Sequence, residues 1–412
     1  MTQRCSLHRS RKLNRKKDLS IMKRHVIIVG GGPVGLITAL GLARSGTSVT
    51  IIESEDKISQ SPRALVYHYP VMKHLERLGV LEDCVAQGFV RDDFAWRVYD
   101  TQELIHWSLR GLQDYIQYSH ALHLGQDKVA QILTDHLKRM SNVTFRYSTN
   151  FVKASEHSGG VLVEVESGGL VDQLEGDWLI GADGAGSTVR RDVMNANFFG
   201  ITWPERYVAT NTRVNLDQFG FANTTMQVDD IYGSVICRID RKNLWRVTFM
   251  EDPMLPIEGL QERIQKNLEN LLPQGAGFEV VSYSPYRMHQ RVADRMRQGR
   301  FLLVGDSAHV TNPTGGLGLT GGMFDSFALV EALNRVIHDG TNADILDVYD
   351  RDRRQKFIEL VSPRATSNLQ RLYRTAPGTD MNDWIRRTRE IGKSPDAMRE
   401  MFRFTEKLET FY

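Results

Sequence analysis

The chain has 412 residues, 41% hydrophobic and 25% charged, which excludes a disordered or fibrous polypeptide and leaves room for two or three domain-sized units. Three widely spaced cysteines (Cys5, Cys84, Cys237) form neither a disulfide framework nor a zinc pattern, so a reducing compartment is expected. The formal charge of +2 hides an imbalance: residues 1–24 hold nine Lys or Arg against Asp18, the rest of the chain carries 43 basic and 49 acidic residues, and nothing argues for nucleic acid as a partner.

The opening "MTQRCSLHRSRKLNRKKDLSIMKRH" lacks the apolar centre of a signal peptide. Residues 1–21 are expected to be a basic, disordered extension, with a mitochondrial presequence as the alternative; the expected location is otherwise cytoplasmic. Val26 to Ala43 carries no charge over the length of a membrane span. Gly30-Gly31-Gly32-Pro33 breaks that run at its centre, so it reads as strand, turn and helix, with no membrane span in the chain. Val49 to Ile52 is a second buried strand ending in Glu53, which completes a βαβ unit.

A helix is expected from Tyr69 to Leu78, closed by Gly79, and another from Gln126 to Met140. Asn142 to Glu166 alternates in the manner of antiparallel strands about a Gly159-Gly160 turn. "DWLIGADGAGSTVRRDV" repeats the pattern of a buried strand followed by glycines. Residues 198–251 read as β, Leu260 to Leu272 as helix, and the chain from about Asp344 as charged helix. The run "DRDRRQK" there reads as a solvated helix face.

Three motifs carry chemistry. Gly30, Gly32 and Gly35 fit G-x-G-x-x-G between two strands, where the backbone must approach a pyrophosphate and the following helix offers it free N–H groups. Glu53, 23 residues after Gly30, stands where a carboxylate accepts hydrogen bonds from ribose hydroxyls, which favours NAD or FAD over NADP. The second motif is "GADGAGSTVRR", residues 181–191, in which Asp183-Gly184 taken alone could be an ordinary turn. The third is "GRFLLVGDSAHVTNPTGGLGLTGGMFDSFALVEAL", where Gly305-Asp306 ends an apolar strand and a glycine-rich loop feeds a helix through Thr320-Gly321-Gly322. An aspartate there can hold ribityl hydroxyls, and the positive end of that helix would stabilise negative charge on a reduced flavin ring.

Together the three motifs resemble the single-component flavoprotein aromatic hydroxylases related to para-hydroxybenzoate hydroxylase. Asp183 to Arg190 is similar to D-G-x-x-S-x-V-R, and residues 305–318 to G-D-[AS]-A-H-x-x-x-P-x-G-x-x-G. "SPRALVYHYPVMKHLERLGV" and "LGQDKVAQIL" resemble further family segments, so the likeness covers residues 25–335. It implies an α/β fold: a Rossmann-like FAD-binding domain (residues 22–90 with 118–192 and 294–338), an inserted mixed β-sheet substrate domain (91–117 with 193–293) and a helical C-terminal segment (339–412). It implies that Gly30, Gly32, Gly35, Glu53 and Gln126 hold the ADP half of FAD, that Arg63 lies near the flavin, and that Asp306 contacts the ribityl-pyrophosphate portion. Gly318 and Leu319 would offer N–H groups to the pyrimidine edge, Asp183 and Arg190 would support FAD and the nicotinamide donor, and Pro313 and Thr314 would face the substrate's phenol.

The implied activity is a monooxygenase that uses NADPH or NADH and O2 to hydroxylate an aromatic, phenolic small molecule through a flavin C4a-hydroperoxide. The alternative is a flavin-dependent reductase or dehydrogenase of the same fold acting on a quinone- or prenyl-like substrate. A homodimer is left open. The chain departs from the family in carrying Thr320 where Asn is common, and the serine, arginine and tyrosine set for a benzoate carboxylate has no match. Arg238, Trp245 and Arg246 stand in that region instead, and the last two could equally be surface residues. His309 is expected to be structural.

Overall fold

The computed structural model describes residues 24–57, 64–374 and 380–412. The expected basic extension and Arg63 lie outside the described residues. The first unit is a parallel sheet with helices on it: β1 (His25–Val29), helix α1 (Pro33–Arg44), β2 (Ser48–Ile52), β3 (Val143–Arg146), β4 (Trp178–Gly181), β5 (Phe301–Leu303) and helix α2 (Leu317–His338). The strands lie in the order β3-β2-β1-β4-β5, all parallel, with Arg297–Gln298 antiparallel at the outer edge. Their continuous apolar runs follow from burial on both faces, as parallel strands require. Helix α1 is buried along Gly35 to Ala43 because it is wedged against α2; a Cβ on Gly41 would stand 2.7 Å from Val330 Cγ1.

The second unit is an eight-stranded sheet whose long central strands are Phe198–Val214, Phe278–Ala293 and Leu244–Glu251. Side chains alternate across a sheet, and here the two faces bury different partners. Val208, Ile236, Trp245, Val247 and Phe249 pack against Ile264, Leu268 and Leu271 of the helix Leu260–Leu271. Trp96, Tyr207, Val228 and Met288 pack on the other side against Leu369, Leu372 and Tyr373, which end the helix Ser362–Leu372. Four further helical stretches, from Ile345–Lys356 to Pro395–Phe402, close the C-terminal part.

Several expectations need correction. Val143–Arg146 is not part of an antiparallel hairpin; it joins the parallel sheet beside β2, while Asn150–His157, Gly160–Ser167 and Leu170–Gly176 form a separate antiparallel sheet. Helix α2 begins at Leu317, so Gly318, Leu319 and Thr320 sit inside its first turns rather than before them. Trp245 is fully buried and Arg246 is 7% exposed, so neither is a surface residue. The run "DRDRRQK" is not wholly solvated either: Arg353 is 1% exposed and ion-paired. Among the described residues no helix is long and apolar enough to cross a membrane.

Candidate active site

The three glycine motifs meet at the carboxyl ends of β1, β4 and β5. A Cβ on Gly30, whose φ is +108°, would lie 2.3 Å from the carbonyl oxygen of Ala182, so the first loop is in backbone contact with the second. Val304 N–H donates to Gly181 O at 3.0 Å, and the Ser307 hydroxyl donates to the same oxygen at 2.6 Å, which joins the second motif to the third. Gly305 and Gly322 both close on Val34 in the first turn of α1, with Gly305 Cα 3.0 Å from where a Cβ of Gly322 would be. Open α/β sheets bind ligands in this crevice outside the strand ends.

The local chemistry of the first loop fits a pyrophosphate and a ribose. Gly32 caps helix α1 with no side-chain hydrogen bond, and a Cβ there would meet nothing within 4 Å. Among the described residues no side-chain acceptor lies over the N-terminal N–H groups of α1, the arrangement that draws an anion. Glu53 follows β2 and is half-buried; its carboxylate accepts the Gly31 N–H at 2.7 Å and the Glu55 N–H at 3.0 Å. That places a charged acceptor beside the glycine loop.

Around this centre the other expected residues arrange themselves unequally. Gln126 sits at the start of the helix Gln126–Lys138 and brackets Ala64: its N–H donates to Ala64 O at 3.0 Å and its Oε1 accepts Ala64 N–H at 3.2 Å. His68 Nε2 lies 2.9 Å from Gly315 O, which ties this segment to the third loop. Burial lowers the His68 imidazole below its usual range, so it is neutral and donates to that carbonyl. Asp306 is exposed on the third loop. Gly318 and Leu319 are half-buried in the first turn of α2, whose cap, Gly316, again has no side-chain hydrogen bond.

Asp183 and Arg190 are turned into the protein. Asp183 accepts from the Ser187 hydroxyl at 2.5 Å and from the N–H groups of Thr188 and Val189 at 2.8 and 3.1 Å. Burial raises its carboxyl above the ordinary range, against the pull of those donors. Arg190 donates to Ser307 O and Ala185 O, both at 2.8 Å, and stacks over Phe198 at 3.9 Å. Asp183 thus closes the second motif on itself, and Arg190 braces that motif against the third. Thr314 is likewise occupied: its hydroxyl lies 2.8 Å from Ala365 O and within hydrogen-bond reach of Asn312, which donates to Gln290 at 3.0 Å. Gln290 in turn donates to Ser362 and Thr366. This chain of bonds fixes the backbone of Pro313, the half-buried residue at the loop's turn.

Arg246 stands opposite Asn211 and Cys237 in the sheet register, one step along from Trp245. Because Trp245 faces the helix Leu260–Leu271, alternation turns Arg246 to the other face, shared with Tyr207 and Tyr286. Its guanidinium donates to Asn211 Oδ1 at 2.9 Å (Nη2) and 3.2 Å (Nε). Burial lowers its pKa, against the opposing influence of Cys237, Tyr286 and Asp127, the last of them beside Gln126. Arg238 has the opposite fate: it lies over Trp245 at 4.4 Å and pairs with Asp217 on the far face. The residues that sequence reasoning missed are those bracing the loop, Asn312 and Gln290; a lone amide, in a loop or in a strand, gives no local signal. A cavity of about 590 Å³ lined by Arg91, His106, Trp107 and Arg110 contains no residue of the three glycine motifs and is a separate feature.

The family model described as "FAD binding domain" matches residues 23–362. The 6-hydroxy-3-succinoylpyridine 3-monooxygenase of Pseudomonas putida (strain DSM 28022 / S16) is 62% identical over 392 residues, 95% of this chain and 99% of that one. The para-nitrophenol 4-monooxygenase of Pseudomonas sp. (strain WBC-3) is 38% identical over 389 residues, 93% and 95% of the two chains. The crystal structure of p-nitrophenol 4-monooxygenase from Pseudomonas putida DLL-E4 superposes with a TM-score of 0.88 at 36% identity, covering 94% of this chain and 99% of that one.

Proposed function

The chain belongs to the FAD binding domain family and is an FAD-dependent monooxygenase, and from that premise we propose that it uses NAD(P)H and O2 to hydroxylate a hydroxylated heteroaromatic ring bearing an acidic side chain, 6-hydroxy-3-succinoylpyridine or a close analogue. The observation that carries this reading is the 62% identity to a 6-hydroxy-3-succinoylpyridine 3-monooxygenase along nearly the whole of both chains. The buried cation Arg246 on the sheet face turned toward the cofactor unit supports it, because a succinoyl carboxylate is the anion such a guanidinium would receive. We place the protein in the cytoplasm.

When bound, FAD supplies the redox chemistry, taking a hydride from NAD(P)H and activating O2. The chain's own residues bind and orient. Gly32 and the first turn of α1 would receive the pyrophosphate, Glu53 the adenosine ribose, and Asp306 the ribityl hydroxyls. The N–H groups of Gly318 and Leu319 would meet the pyrimidine edge of the ring, where the positive end of α2 offsets negative charge on the reduced ring. The Asn312–Gln290 braces hold the Pro313 carbonyl toward the substrate hydroxyl, and the buried sheet face excludes water from the reacting atoms. This division of labour explains why no strong acid–base constellation stands out in the sequence.

Anaerobic bleaching of the flavin by NADH or NADPH, with and without aromatic compounds, tests the proposal. Acceleration by 6-hydroxy-3-succinoylpyridine but not by p-nitrophenol is expected. Bleaching equally fast with no aromatic present would instead favour a reductase, and would sink the hydroxylase reading.

A further inference from the structure

We propose that Arg353 is a positioning residue of the flavin site, and that the C-terminal segment it holds, through Tyr412, is a working part of that site, so that seating of the tail and binding of FAD promote each other. The inference rests on the FAD reading above and goes beyond it, since the tail lies more than 80 residues past the last cofactor residue named there.

The connection runs through three buried side chains. The Gly305 N–H, next to Asp306, donates to Asp325 Oδ2 at 3.0 Å. Asp325 lies on α2 with no exposure, and its Oδ1 accepts from Arg353 Nε at 2.7 Å. His309, 3% exposed and stacked on Phe357 at 4.7 Å, brings Nε2 within 2.7 Å of Asp325 Oδ2. The remaining nitrogens of Arg353 reach Gly321 O in the first turns of α2 (3.3 Å), Leu408 O (2.5 Å) and the Thr410 hydroxyl (3.3 Å). One guanidinium therefore touches the flavin helix, the carboxylate that holds the flavin loop, and the end of the chain.

The tail has further holds, one on α2 and two on neighbouring helices. The Tyr412 hydroxyl donates to Ala328 O on α2 at 3.1 Å, Thr410 donates to Asp352 at 2.5 Å, and Lys73 pairs with Glu409 at 2.6 Å. A carboxylate and a guanidinium this far from water are stable only as a fully bonded set, because losing one partner leaves a buried charge uncompensated. Losing Leu408 and Thr410 strips Arg353 of two acceptors in a dry place. Its reorientation moves Asp325, and Asp325 moves the Gly305 N–H and with it Asp306. Because Asp325 reaches the backbone of the cofactor loop itself, the effect on FAD is specific and not a general loosening. Coupling between two sites is reciprocal, so FAD must also steady the tail.

Two measurements decide the matter. The first is the FAD dissociation constant, by fluorescence titration of apoprotein, for the intact chain, for Arg353→Gln, for Arg353→Lys and for a chain ending at Lys407. We expect a weakening of about tenfold or more for the truncation and for Arg353→Gln, partly restored in Arg353→Lys. The second is amide hydrogen exchange of residues 405–412 in the intact chain, which FAD should slow. Wild-type FAD affinity in the truncated chain, or tail exchange indifferent to FAD, overturns the proposal. Should the truncated chain fail to fold, exchange in the intact chain decides alone. An intact chain that takes up no FAD would sink the parent reading as well, an outcome distinct from tight FAD beside an indifferent tail.

Discussion

Two glycines of the first loop, two residues apart, should fail in opposite ways when replaced by alanine. At Gly30 the backbone holds φ at +108° and a new Cβ would lie 2.3 Å from the Ala182 carbonyl oxygen. A left-handed backbone costs an L-residue about 1–2 kcal/mol, and overpacking against a main-chain atom adds about 1–3 kcal/mol. Gly30→Ala should therefore lose about 2–5 kcal/mol, a large share of a typical domain stability of about 5–15 kcal/mol. At Gly32 φ is −73° and ψ 171°, ordinary extended backbone, and the added methyl meets nothing within 4 Å. Gly32→Ala should fold nearly as well as the parent, since alanine is the poorer cap by only about 0.5–1 kcal/mol. Its methyl would occupy the place of a phosphate oxygen and remove one charge-assisted hydrogen bond of about 1.5–3 kcal/mol, weakening FAD by about 10- to 100-fold. Thermal midpoints of the apoproteins and FAD titrations separate the two effects. A Gly32→Ala protein that binds FAD like the parent, or that unfolds like Gly30→Ala, would refute the assignment of this loop.

Asp306→Ala should yield largely flavin-free protein with an unchanged apoprotein midpoint; full flavination on purification would remove Asp306 from the site. Arg246→Gln should weaken a ring compound with a carboxylate side chain by about tenfold or more while leaving its carboxamide analogue unaffected, measured by perturbation of the flavin spectrum; equal losses for both would deny Arg246 the anion. Burial depresses the His123 imidazole from 6.5 to about 4, with Nδ1 donating to Arg238 O at 3.1 Å. A depressed folded pKa means that stability is intact above the unfolded value and is lost as pH falls from about 6.5 toward 4, by about 2 kcal/mol at pH 5. Urea unfolding at pH 7 and pH 5 should show that loss in the parent and a reduced one in His123→Phe; parallel losses would exclude His123 as the source.

The cofactor unit was legible because its signals are local. A buried strand, a glycine turn and a helix start lie close together in sequence, and Gly30, Gly35 and Gly305 stand where the backbone comes close to another chain segment. What escaped was set by tertiary partners. Val143–Arg146 alternates like any hairpin strand, and only its place beside β2 makes it parallel. Arg353 sits in a run of charges that looks solvated, yet its burial depends on Asp325, 28 residues earlier, and on a carbonyl 55 residues later. Trp245 and Arg246 gave no sign of which sheet face was covered, because the covering helices, Leu260–Leu271 and Ser362–Leu372, lie elsewhere in the chain. Asp183 and Arg190 were found by motif, but their bonds brace loops, which motif matching does not distinguish from contact with a ligand.

The strand order β3-β2-β1-β4-β5 bears on how the protein is made. Neighbours in that sheet come from residues 25 to 303, and its flavin helix is secured by the last residues of the chain. Contacts so distant in sequence are slow to form, since each must first close a long loop. A ribosome-bound chain therefore cannot complete the crevice until the residues up to Tyr412 have emerged. Until then β1, α1 and β2 expose apolar surface that the finished sheet covers. Expression at low temperature, with flavin supplied throughout, should for that reason raise the yield of soluble protein more than any change made to its surface.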